Sequence, residues 1–194
     1  MKSNIFTSHN VLTPEECQTI INYCSNKCKP SNTLDINDRE NIDKKWRNSV
    51  NTFLNDQDFK KLPMINKIID HVVEVSNEFF RFPIGFVEDI QYADYEKGMY
   101  YKEHIDSGST EKSDRDISAS VILTPRNEYV GGNLCFRRSP NSYLDVDEQQ
   151  GSVIVFSSLL VHKVKKVEKG KRSSLTLWCK RHESLVSTVY KALK

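Results

Sequence analysis

A chain of 194 residues is the size of one domain, long enough to bury a continuous core and too short for two large ones. Its 38% hydrophobic and 28% charged residues are those of an ordinary globular protein, and a net charge of +2 gives no general electrostatic grip on nucleic acid or an anionic membrane. No run approaches the roughly 20 apolar residues of a spanning helix, and Met1-Lys2-Ser3-Asn4-Ile5-Phe6 lacks the apolar core of a signal peptide, so a cytoplasmic protein with no membrane partner is expected.

Taken in chain order, Thr13-Pro14-Glu15-Glu16 is a capping box with proline at the first helical position, and Cys17, Ile20, Ile21 and Cys24 then share one helical face. Residues 29–47 are polar and rich in Asn, Asp and Lys, and read as a loop, floppy or a lid. Arg47-Asn48-Ser49 either lines a substrate groove or belongs to the surface. Residues 61–80 are the most strongly amphipathic stretch, with Ile65, Ile68, Ile69, Val72, Val73 and Phe79 at three- and four-residue steps. From about Gly85 short strands take over. Ile117, Ala119, Val121 and Leu123 alternate with Ser118, Ser120 and Ile122, and further strands are expected after Gly131-Gly132, over 151–156, over 159–167, and over 171–179 behind a turn at Gly170. The lysines at 163, 165, 166, 169 and 171 read as a solvated hairpin.

The expected architecture is therefore α+β: a double-stranded β-helix, or jelly roll, with N-terminal helices packed on one sheet. It forms one domain, with a helical support region at 1–84, a core at 85–180 and a tail at 181–194 whose last residues form a short helix. Cys17, Cys24, Cys28, Cys135 and Cys179 are odd in number and follow no CxxC spacing, so they are expected as free thiols. His9, His71 and His182 lack any chemical context and are expected to be structural.

The chemistry concentrates in three places. In His104-Ile105-Asp106 the outer side chains point the same way if the segment is extended, so both can meet one ion. His162, on a distant strand, is the candidate third ligand. Two histidines and a carboxylate on one face of an ion, with the other face open, are the usual home of Fe(II) in oxygenases. Arg172 follows on the next strand; its planar fork suits a carboxylate. Ser174, two residues on, faces the same side and offers a second donor, and Leu175, Leu177 and Val155 are expected to keep the site dry.

Residues 90–106, with Gln91, Tyr95, Gly98, Tyr101, His104 and Asp106, carry the pattern Gln-x-x-x-Tyr-x-x-Gly-x-x-Tyr-x-x-His-x-Asp. Arg115 with Ser118, Gly131-Gly132-x-Leu134-x-Phe136, His162 and Gly170-x-Arg172-x-Ser174 follow, and Val11-Leu12-Thr13-x-Glu15-Glu16-Cys17 precedes them. Together these resemble the 2-oxoglutarate- and Fe(II)-dependent oxygenases of the prolyl 4-hydroxylase type, nearest to their small bacterial and phage members. The resemblance implies Fe(II) on His104, Asp106 and His162 and the C5 carboxylate of 2-oxoglutarate on Arg172. It places Tyr95 in the cosubstrate pocket, Tyr101 beside the metal strand, O2 as oxidant and ascorbate as reductant. It also implies hydroxylation of a protein or peptide residue, proline first, with release of succinate and CO2. Retention of Asp106 favours hydroxylation over halogenation. One departure stands out: Ile122 occupies a position where animal members often carry a tyrosine that touches the C5 carboxylate. A free amino acid or small metabolite is the alternative substrate. A nucleic-acid dealkylase ranks lower, because Ser173, Ser174, Leu175, Thr176, Leu177 and Trp178 bring no second arginine after Arg172. A non-catalytic binding module ranks low as well, since all three candidate ligands are kept. Oligomeric state is not legible.

Overall fold

In the computed structural model, which describes residues 4–34, 40–108 and 115–181, the first element is a strand, β1 (Ile5–Ser8), where the sequence pointed only to helices. Helix α1 (Pro14–Cys24) follows with its capping box formed. Thr13 Oγ1 accepts from the Glu16 amide at 3.2 Å and Glu16 Oε2 accepts from the Thr13 amide at 2.8 Å. That satisfies two of the backbone donors a helix start leaves open. The stretch expected as a loop carries short strands: β2 (Lys29–Pro30), β3 (Thr33–Leu34), β4 (Glu40–Asn41) and β5 (Arg47–Asn48). Two residues are too few to show an alternation, so these strands had no pattern to betray them. Residues 35–39 of that stretch lie outside the described residues. Then come β6 (Val50–Leu54), α2 (Asp56–Lys61) capped by the Asn55 side chain, and α3 (Met64–Val75), extended by a π-helical turn at Ser76–Phe80.

Among the described residues the remaining elements are strands, apart from a 3-10 turn at Arg126–Glu128: β7 (Ile84–Val87), β8 (Ile90–Glu96), β9 (Tyr100–His104), β10 (Ile117–Ile122), β11 (Tyr129–Gly131), β12 (Leu134–Ser139), β13 (Ser142–Asp145), β14 (Val153–Ser157), β15 (His162–Val164) and β16 (Val167–Arg181). All pairings are antiparallel. A nine-stranded sheet runs β1-β14-β10-β16-β8-β6-β2, with β7 and β11 also on β16; a five-stranded sheet runs β13-β12-β15-β9-β5. The turn expected at Gly170 does not interrupt the chain. β16 runs through it, and the positive φ of 76° lets Gly170 lie against the Glu128 carbonyl, where a Cβ would come within 2.0 Å.

The period-two pattern of β10 sorts its side chains between two interiors. Ile117, Ala119 and Val121 join Val153, Val155, Leu175 and Leu177 in a core closed by Ile20, Ile65, Ile68 and Val72 of the helices. The opposite face points into the roll, where Ile122, Ile154 and Phe156 of the large sheet meet Leu134 and Phe136 of the small one. The architecture is thus the expected α+β jelly roll with helices on one sheet. The same parity corrects one expectation: Leu175, Leu177 and Val155 lie on the helix side, so the dry lining of the roll comes from the second set.

His71 Nε2 bonds the Ser8 hydroxyl at 2.7 Å and His9 Nδ1 the Ser152 hydroxyl at 2.9 Å, while His182 and the tail helix expected at the C-terminus lie outside the described residues. The cysteines within the fold are free thiols. The basic run is partly tied down, with Lys165 on Asp145 and Lys171 on Asp94.

Candidate metal centre

β9 ends at His104, and β15 begins at His162. In the antiparallel pair they make, these two histidines are direct cross-strand partners. Their rings sit 4.2 Å apart between centroids. Asp106 lies just beyond β9, pinned by its amide to the Ser158 carbonyl at 2.9 Å. Its Oδ1 is 3.6 Å from His104 Nε2 and its Oδ2 is 3.5 Å from His162 Nε2. One donor atom from each of the three lies within 4.8 Å of the others. Two ligands about 2.1 Å from one ion can be at most about 4.2 Å apart, so the Asp–His spacings suit a shared metal.

The neighbours orient the donors. His104 Nδ1 donates to the Lys102 carbonyl and His162 Nδ1 to the Leu160 carbonyl, each at 2.8 Å. A carbonyl only accepts, so Nδ1 carries the proton and each Nε2 keeps its lone pair for the centre. The Ser118 hydroxyl donates to Asp106 Oδ2 at 2.7 Å and meets the Ser158 hydroxyl at 2.8 Å. Tyr101 stacks on His104 at 3.6 Å, and Phe156 packs edge-on to His162 at 5.0 Å. Behind Tyr101 sits Arg47, which is buried and bonded to Ser49 and Gln91, so it is neither a surface group nor a groove lining.

Burial, with His162 alongside, pushes the His104 imidazole down to a pKa of about 3. Burial alone would raise the Asp106 carboxyl, but the two imidazoles and the Ser118 hydroxyl hold it below its ordinary value. A neutral His104 beside an ionised Asp106 is the state a divalent metal needs. The fit of donor types, tautomers and spacing to Fe(II) is good.

The His104 shift has a consequence for the metal-free protein. An unfolded His104 titrates near its ordinary 6.5, so between about 6.5 and 3 the unfolded chain binds more protons than the folded one. Stability therefore falls on acidification through that window. Urea midpoints measured from pH 7 to pH 4 should drop for the wild type, and less steeply for His104→Gln. Equal slopes would contradict the assignment.

Across the roll, Arg172 of β16 stands opposite Tyr95 of β8, and Ser174 lies between Ala93 and Ile122 on the flanking strands. Arg172 is buried, and its Nη1 donates to Ser174 Oγ at 2.9 Å, so the expected pair is assembled. Tyr95 is buried too, its ring 5.7 Å from the guanidinium carbon. Gly132 permits this packing, since a Cβ there would meet Arg172 Cδ at 3.3 Å and Val167 Cγ2 at 2.9 Å.

Two further residues reach Arg172 and carry no signal in the sequence. Glu148, just before β14, accepts from Nη2 at 2.8 Å and from Nε at 3.2 Å through one oxygen, and from the Leu134 amide at 3.2 Å. The Tyr129 hydroxyl is buried near the guanidinium without a well-formed hydrogen bond. An acidic residue before a glycine turn is ordinarily exposed, so nothing in the sequence marks Glu148 as turning inward.

On its outer side the His104 end opens to a groove of about 540 Å³ lined by Trp46, Lys102, Ile105, Arg137, Tyr143 and Lys163, among others. Trp46, Ile105 and nearby Leu159 are exposed. Arg137 and Tyr143 both bond Glu103, which fixes one wall. The loop expected at 107–113 lies largely outside the described residues.

Residues 90–180 match the family profile described as the 2OG-Fe(II) oxygenase superfamily. A PKHD-type hydroxylase of Prochlorococcus marinus is 31% identical over 93 residues, which are 48% of this chain and 40% of that protein. A putative prolyl 4-hydroxylase of Acanthamoeba polyphaga mimivirus is 26% identical over 162 residues, 79% of this chain and 60% of its own length. The chain thus spans about half the length of these curated relatives. Among solved structures, a prolyl hydroxylase from Trichoplax adhaerens, in complex with a hypoxia inducible factor oxygen degradation domain peptide fragment, superposes with a TM-score of 0.73. It is 18% identical and covers 92% of this chain and 84% of that one, a likeness of fold.

Proposed function

We propose that this chain, which belongs through residues 90–180 to the 2OG-Fe(II) oxygenase superfamily, is a 2-oxoglutarate-dependent Fe(II) hydroxylase of a peptide residue, with proline the first candidate. The observation that carries the reading is the His104–Asp106–His162 cluster, whose two histidines are direct cross-strand partners. His104 and His162 would hold Fe(II) through Nε2 and Asp106 through a carboxylate oxygen. Arg172 and Ser174 would take the C5 carboxylate of 2-oxoglutarate, with Tyr95 and Tyr129 against its chain. When bound, the metal with its cosubstrate and O2 supplies oxidation of a C–H bond, and ascorbate would serve as reductant.

The protein's own share is placement. The carbonyls of Lys102 and Leu160 fix the two rings, and Ser118 fixes the carboxylate, so little reorganisation is needed when the metal arrives. Ile122, Ile154, Phe136 and Phe156 exclude water from the roll. A peptide substrate is supported by the likeness of fold to a prolyl hydroxylase solved with a peptide fragment.

The test is a proline-containing peptide library against a mixture of free amino acids and metabolites, with Fe(II)-loaded protein, 2-oxoglutarate and O2. Succinate release is read together with a gain of one oxygen in the target. Turnover with peptides and none with free amino acids is the expected result. Turnover confined to a metabolite would replace the peptide reading.

A further inference from the structure

We propose that Glu148 is a specificity-determining residue of the cosubstrate pocket, setting how strongly Arg172 takes the distal carboxylate of a dicarboxylic 2-oxo acid. This rests on the proposed role of Arg172 as the receiver of that carboxylate.

A guanidinium has five N–H donors. Three are engaged: Nε and one on Nη2 with Glu148 Oε1, and one on Nη1 with Ser174. One N–H on each terminal nitrogen remains for a ligand. Glu148 therefore acts in two opposed ways. It holds the guanidinium from the side, which presents the remaining donors in a fixed plane. It also brings a negative charge into a site where the Arg172 and Glu148 side chains are 1% and 0% exposed. A distal carboxylate arriving there is the second anion on one cation, and burial keeps bulk solvent from screening the two from each other. The second oxygen of Glu148 is buried with no hydrogen-bond partner among the described residues, and besides Arg172 only the Leu134 amide is seen to donate to the carboxylate there. An Arg172 left unpaired would bind a dicarboxylate more tightly and reject a 2-oxo acid without a distal charge more sharply. Glu148 thus narrows the preference of the pocket.

Glu148→Gln separates the two effects. The amide oxygen still accepts from Nε and Nη2, so Arg172 stays placed, and only the charge is lost. The probes are 2-oxoglutarate and 2-oxopentanoate, which has the same five carbons and a methyl in place of the distal carboxylate. Both are titrated calorimetrically into Fe(II)-loaded wild type and variant without oxygen. The variant is expected to bind 2-oxoglutarate about tenfold tighter, with 2-oxopentanoate unchanged. Unchanged or weaker 2-oxoglutarate binding, or an equal gain for both acids, would overturn the proposal. The wild type supplies a readout free of any folding defect: its preference for 2-oxoglutarate over 2-oxopentanoate should be no more than about tenfold, and a preference of several orders of magnitude would overturn it too. Wild-type binding with no effect of the variant removes this inference alone. Failure of both proteins to bind either acid removes it together with the reading it rests on.

Discussion

Arg172→Ala is expected to weaken 2-oxoglutarate binding and also to destabilise the fold by about 3–5 kcal/mol, because it strands the Glu148 carboxylate without its cation in a closed interior. The two losses have different causes and can be separated. In Arg172→Ala/Glu148→Gln the stranded charge is gone, so most of the stability should return while 2-oxoglutarate binding does not. Arg172→Lys keeps a charge but loses the fork that reaches Glu148 and Ser174 together, so it should rank between wild type and alanine in affinity. Urea midpoints and calorimetric titration on the same four proteins check this. Full stability in the single alanine variant would mean that the buried pair is not formed as described.

The second large effect concerns the triad. His104→Ala, Asp106→Ala and His162→Ala should each weaken Fe(II) binding by more than about 100-fold, since even groups that only orient a ligand are worth 10- to 100-fold. Hydroxylation should fall with it. The three variants are expected to differ in stability. Asp106→Ala removes a carboxylate that the two imidazoles and the Ser118 hydroxyl stabilise in the fold, so the metal-free protein should lose some stability. His104→Ala removes the ring on which Tyr101 stacks and should cost more. Ser118→Ala, which frees the Asp106 carboxylate without removing it, should show a smaller loss of metal affinity, about 10-fold.

Much of the fold and of the candidate metal centre is legible in the amino-acid sequence. The capping box at Thr13, the amphipathic run over 61–80 and the alternation over 117–123 each carry a period that only one element satisfies, and α1, α3 and β10 form there. The pairing of His104 with His162 follows from a motif with fixed spacing, and β9 and β15 bring them face to face. What escapes is short or two-sided. β1, β2 and β5 are too brief to show a period, although β5 completes the edge of the small sheet that carries both histidines. Leu175 and Leu177 are apolar like the lining of a site, but they alternate with Arg172 and Ser174 and so face the helices; counting parity from Arg172 sorts them correctly. Glu148 escapes because an inward charge before a glycine has no local pattern at all, only a partner on a distant strand.

The central claim is that three side chains build one Fe(II) site that shares a chelated 2-oxo acid with Arg172. Its most direct test is to add Fe(II) and then 2-oxoglutarate to metal-free protein without oxygen and record the visible charge-transfer absorption of the chelate. A band in the wild type that His104→Ala abolishes and Arg172→Ala weakens is the result predicted. A folded wild-type protein that gives no band, or a band that survives His104→Ala unchanged, would contradict the site as described.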